Sequence, residues 1–255
     1  MDLALSATAS VTSPAAAVAP PVLALSLTAM DLRHALAFVV CFVVATAFHE
    51  YAHAITARRL GDRTGESEGR VTLNPLAHAD PIGTIAMPLL AGIFHYPPLG
   101  WGKPVPFQPA HFTRKISMRA GSALVSVAGP LANVLQAAIT LGVAALLVLA
   151  LKLQPAQHPG VFAILGVFLT LNMMLAVFNL LPIHPLDGGK ILSWALPARF
   201  DFIDDFLTRY GWAILLGLVF AAPQILGYVF QPLFRLAGFL MNTVSPAWTE
   251  VYRLW

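Results

Sequence analysis

An all-α polytopic membrane protein is the fold class that this sequence predicts, and three observations predict it. The chain of 255 residues is 58% hydrophobic and 11% charged, with a mean hydropathy of +0.74. Soluble domains carry about a quarter charged residues, so this composition belongs in a bilayer. The apolar residues fall in long runs, several close to the ~20 residues that cross the hydrocarbon. The few lysines and arginines gather in short segments between the runs, as they do on the cytoplasmic side of membranes. A formal net charge of +3 is too small to suggest nucleic acid, and no such partner is expected. Cys41, the single cysteine, lies in an apolar run and can form no intrachain disulfide.

Residues 1–31 read as a flexible tail. No Lys or Arg precedes Arg33 to make the basic start of a signal peptide, and Pro14, Pro20 and Pro21 interrupt any helix. A core follows over 32–200, with expected spans at about 35–60, 120–151 and 161–181. A further apolar stretch at 81–94 holds Gly83, Pro88 and Gly92 and is short for a span. Residues 201–255 supply a C-terminal membrane helix or hairpin, broken by Pro223 and Pro232, and a tail.

Charge sets the orientation. Arg58, Arg59, Arg63 and Arg70 follow the first span, and Lys103, Arg114, Lys115 and Arg119 precede the next long one. If both loops are cytoplasmic, the 81–94 segment dips in and returns as a re-entrant segment. Such backbone survives at membrane depth only when buried in protein or lining a wet cavity. The loop around Lys152 is nearly free of positive charge and fits the outside, while Lys190 and Arg199 fit the inside.

Within the first span stands HEYAH, at 49–53. Ionisable residues at membrane depth are costly and are functional candidates by default. On a helix His49 and His53 share a face and can grip one metal, with Glu50 aimed at a bound water. Zinc suits two imidazoles, a third protein ligand and an open position. The extended pattern with a third histidine on the same helix is absent, since Thr56 and Arg59 occupy those places. Glu66 and Glu68 are possible third ligands in a loop. Between Asp80 and Asp201, however, the sole acidic residue is Asp187, in LPIHPLDGGK. It could cap a helix or pair with Lys190, but it falls on the same membrane side as HEYAH, which favours a ligand role.

These segments together resemble a known family. FHEYAHA, VTLNPLAHADPIGTI, GWGKPVPF, AGPLAN and FNLLPIHPLDGGKIL, in that order, are similar to the site-2 proteases, the zinc intramembrane metalloproteases. The similarity runs from about His49 to Leu192 and is closest to compact bacterial and archaeal members without a PDZ domain. It implies one Zn2+ per chain held by His49, His53 and Asp187, Glu50 as general base, and Asn179 as a catalytic or substrate-binding residue that orients substrate or steadies the oxyanion. The family often has a nonpolar or small residue where this chain has His184, which could be a partner behind a ligand, a protonation-sensitive neighbour or a solvent-facing bystander; the bystander is slightly favoured and no ligand role is assigned. Asn133 reads as packing or hydrogen bonding between helices, and Asn172 lies on a face similar to Asn179 without motif support. His78, His95 and His111 read as solvated loop residues.

The activity implied is hydrolysis of peptide bonds in membrane-embedded or membrane-associated proteins, in regulated proteolysis or remnant clearance. The partners are then a membrane-protein substrate and the lipid bilayer, and the location a bacterial cytoplasmic membrane with the site toward the cytoplasm. An extended substrate could pair with an edge strand offered near WGKPVPF or by the re-entrant segment. A zinc-binding or transport protein, or an inactive member that binds membrane partners, are the competing readings.

Overall fold

The computed structural model describes residues 29–94, 100–113 and 115–254. All but the last three residues of the expected N-terminal tail, and His95, lie outside them. Helix α1 spans Ala29–Arg59 and is predominantly apolar from Ala35 to the HEYAH turns. It stops where the sequence says RRLGD. Gly61 takes a φ of +108°, Gly61 N–H reaches Arg58 O, and Asp62 N–H reaches Ala57 O. This pair of bonds satisfies carbonyls that a helix end leaves open, and the left-handed φ favours glycine.

A short helix α2, Thr64–Ser67, leads into a loop ended by Asp80. The Asp80 side chain accepts from Ile82 N–H and Gly83 N–H and so starts a π-helical turn, Pro81–Ala86, that runs into α3, Met87–Phe94. The chain then comes back to where it set out. Trp101 N–H donates to Gly83 O (3.1 Å), Thr84 Oγ1 to Trp101 O (2.8 Å), and Lys103 N–H to His78 O (2.8 Å). Residues 101–103 therefore lie against the start of the 81–94 segment.

Ser117 caps α4, Met118–Ala145, through Ala120 N–H, and a π-helical turn extends it to Ala150. Helix α5 spans Pro159–Asn179, and α6, Asp187–Ala195, follows the aspartate loop. Three helices, at 33–59, 118–150 and 159–179, are long and apolar enough to cross a membrane. Beyond them α7, Asp201–Leu216, and α8, Pro223–Val244, pass the same test only as a pair, bent by 82° at the break before Pro223. The expected kink thus falls at Pro223, while Pro232 is absorbed inside α8. Helix α9, Pro246–Leu254, closes the chain.

The three long helices run up, down and up. His53 meets Val125, and Ala45 meets Gln136, so α1 and α4 are antiparallel. Helix α5 packs on both. The largest apolar cluster joins α4 and α5 to α8 and α9, around Phe162, Leu169, Met241 and Trp248. Trp248 is fully buried, and its Nε1–H donates to Phe162 O at 2.7 Å. This C-terminal end is packed into the bundle rather than hung from it.

Among the described residues there is no strand. The edge expected near WGKPVPF is already spent. Pro104 and Pro106 have no N–H to offer, Lys103 N–H is held by His78 O, and Val105 N–H is held by Glu50 Oε2 at 2.9 Å.

Candidate metal centre

Four residues apart on α1, His49 and His53 turn their Nε2 atoms toward one point, 2.9 Å from each other. Asp187, the first residue of α6, brings its Oδ2 to 3.2 Å from both. All three side chains are buried. They are the group among the described residues whose donor atoms could hold a metal ion.

The other face of each imidazole decides what the three atoms present. His53 Nδ1 lies 2.7 Å from the Val125 carbonyl, which can only accept, so that nitrogen carries a proton. Its Nε2 is then a bare lone pair in the neutral ring. His49 Nδ1 lies 2.6 Å from Asn133 Oδ1 and by the same logic is protonated there, leaving its Nε2 bare. With both rings neutral, two lone pairs and a carboxylate oxygen converge on one point. Around a cation these three atoms are its ligands. Their triangle of 2.9, 3.2 and 3.2 Å is close to the ~3.3 Å edge that zinc bonds of 2.0–2.1 Å would give in a tetrahedron. The residues fit the metal.

Room for this comes from Gly129 on α4. A Cβ there would stand 2.5 Å from His49 Nε2 and press on His53 Nε2. The glycine of AGPLAN is therefore a place of close approach, and a methyl group would fill the site.

Glu50 is half-buried on the same turn, one carboxylate oxygen held by Val105 N–H. That loop is pinned to the end of α1 by Asp62. Burial pushes the Asp62 carboxyl up, but bonds from Thr64 Oγ1, Gln108 N–H, Thr64 N–H and His111 outweigh it and hold the group below the usual carboxylate range. On the far side of Val105 a cavity of about 560 Å³ opens among Phe107, Arg119, Lys190, Ser193 and Asp204, and the three clustered ligands do not line it.

The structure separates the remaining sequence candidates. Asn179 donates its Nδ2 to Leu175 O within its own helix (3.0 Å). Lys190 does not pair with Asp187, because its Nζ lies 4.7 Å over the Phe107 ring. Glu66 bridges Arg58 and Arg63 at the surface. His184 is not a bystander: its Nε2 lies 3.0 Å from Asp204 Oδ1 and 3.2 Å from Ser193 Oγ, tying the aspartate loop to α6 and α7. His78 is not solvated either; it is fully buried, and its Nε2–H donates to Thr72 O. His111 does remain largely exposed, against Asp62.

Sequence reasoning passed over Gly129 and the Val125 carbonyl; it read Asn133 as packing or hydrogen bonding between helices, which the bonds to His49 and Asn172 bear out, but did not find its imidazole partner. A signal was present, since 125, 129 and 133 recur every four residues and so share one face of α4.

The profile of peptidase family M50 matches residues 147–221, a stretch holding Asp187 but not HEYAH. YwhC of Bacillus subtilis, named as a candidate zinc metalloprotease, is 34% identical over 196 residues, 76% of this chain and 84% of its own. Two proteins named Rip2, also named as candidate zinc metalloproteases, are similar as well. That of Mycolicibacterium smegmatis is 32% identical over 67% of this chain and 64% of its own, and that of Mycobacterium tuberculosis H37Rv 29% identical over 84% and 78%. No solved structure matches the chain.

Proposed function

This chain belongs to peptidase family M50, the site-2 protease family of membrane-bound zinc metallopeptidases, and from that premise we propose that it cuts peptide bonds of membrane-embedded or membrane-associated proteins at the His49–His53–Asp187 centre. One observation carries the reading: the ligand atoms of His49, His53 and Asp187 converge at an apolar three-helix core, with Glu50 on the same turn.

His49, His53 and Asp187 would hold the metal. Zinc, when bound, supplies Lewis-acid activation of water and of the scissile carbonyl. Glu50 keeps one oxygen on Val105 N–H, so Oε1 is the atom that takes the proton of the attacking water and passes it to the leaving amine. Asn179 serves substrate binding or the oxyanion once its amide swings away from the Leu175 carbonyl. The Val105–Phe107 loop and its cavity receive the substrate segment leaving the membrane.

The bilayer and a membrane-protein substrate are the partners, and nucleic acid is not one. The excess of positive charge at the end holding α2 and the start of α4 supports a cytoplasmic membrane with the site toward the cytoplasm.

Zinc content and membrane-fragment proteomics test the proposal together. Wild-type protein should carry one zinc per chain, and folded Glu50→Gln should keep the zinc while fragments seen with wild type disappear. Undiminished cleavage by folded Glu50→Gln would sink the general base. Zinc flux in liposomes without proteolysis would favour a transporter instead.

A further inference from the structure

Behind the metal centre the polar groups continue away from it. Asn133 Nδ2 donates to Asn172 Oδ1 at 2.9 Å, and Asn172 Nδ2 donates to the Phe168 carbonyl at 2.9 Å. Both asparagines are fully buried, at 0% exposure. Amides so placed in hydrocarbon need a cause, and ordinary interhelical glue, worth ~1 kcal/mol, is the plain one.

The direction of the chain argues for more. A carbonyl oxygen can only accept, so Phe168 O fixes which end of Asn172 faces it. Asn172 therefore turns Oδ1 to Asn133, which must answer with Nδ2, and Asn133 is left with Oδ1 toward the imidazole. His49 then has to carry its proton on Nδ1. We infer that Asn133 and Asn172 are positioning residues that hold His49 as the Nδ1–H tautomer and so keep its Nε2 lone pair aimed at the metal. Asn172 touches no ligand; it acts through Asn133, and Asn133 through His49. Partners behind a ligating histidine typically change metal affinity about 10–100-fold when removed.

A third buried amide supplies the control. Gln136 also joins α4 to α1, its Nε2 donating to Ala45 O at 3.3 Å, with no path to an imidazole. Glue alone would make Gln136→Leu, Asn133→Leu and Asn172→Leu alike.

The inference rests on the metal-centre reading, and the test keeps the two apart. The full chain in detergent micelles is titrated with zinc against a chromophoric chelator. Histidine side-chain ¹⁵N spectra are recorded metal-free at alkaline pH. His49→Ala assigns the resonance and should lose zinc; if it binds as tightly as wild type, the metal centre itself is wrong. With that centre intact, Asn172→Leu and Asn133→Leu should weaken zinc ~10–100-fold and mix the His49 tautomers. Asn133→Asp, which keeps an acceptor for Nδ1–H, should restore binding, and Gln136→Leu should change neither readout. Wild-type affinity in both leucine variants, or an equal loss in Gln136→Leu, overturns the inference. So does a wild-type His49 found as Nε2–H.

Discussion

Gly129 sets how closely α4 approaches the imidazoles of α1, and a single methyl group tests that limit. Gly129→Ala should abolish stoichiometric zinc, because the new Cβ would overlap both Nε2 atoms. Gly142, on the same helix, has open space where its Cβ would be, so Gly142→Ala should keep zinc and gain roughly 0.5–1 kcal/mol of stability from the better helix former. Zinc retained in Gly129→Ala would show that α4 can back away from α1. At this scale HEYAH and Asp187 were legible, since charged groups stand out in an apolar chain. The roles of His184, His78 and Asn172, and the imidazole partner of Asn133, were not. A neutral side chain reads the same whether it points to water or to a buried partner, and the partners of His184 and Asn133 lie on other elements.

The turn after α1 is the element that carries the loop over Glu50. Gly61 and Asp62 could be read as a helix stop directly from RRLGD, but the landing of residues 108–111 on Asp62 could not, being a contact across 46 residues. The low pKa of Asp62 gives this junction a sign. Its stabilisation is complete above the unfolded carboxylate value of ~3.9 and fades as pH falls through the lower folded value. Hydrogen exchange at the Thr64 and Gln108 amides should therefore stay slow down to about pH 4. Asp62→Ala should open the junction at neutral pH at a cost of about 1.5–3 kcal/mol, the range for bonds to a charged group. Fast exchange of these amides at pH 7 in the wild type would refute the pinning. The WGKPVPF strand failed at the same level: extended residues with two prolines look like an edge, yet their free donors were claimed by Glu50 and His78.

For the whole molecule, the up-down-up order of α1, α4 and α5 was legible from run length and charge. The packing of the C-terminal end was not, because Trp248 against Phe162 is a meeting of two residues 86 apart. Sidedness can be read out on the intact chain because Cys41 is buried and gives little background. In whole cells, Lys152→Cys should react with a membrane-impermeant maleimide and Arg63→Cys only after permeabilisation. The reverse pattern would place the metal centre toward the outer face.

The polar thread through the bundle also bears on how the protein is made. His49 finds Asn133 across 84 residues, and Asn133 finds Asn172 across another 39. At ~5–20 residues per second, the first helix waits roughly 4–17 s after leaving the ribosome before its partner has been synthesised. Through that interval it carries two imidazoles and a carboxylate without the groups that satisfy them. Insertion of α1 is therefore a step that cannot be completed alone: the helix has to remain in a wet or proteinaceous waiting place, or sit shallow, until α4 arrives to draw it to its final depth.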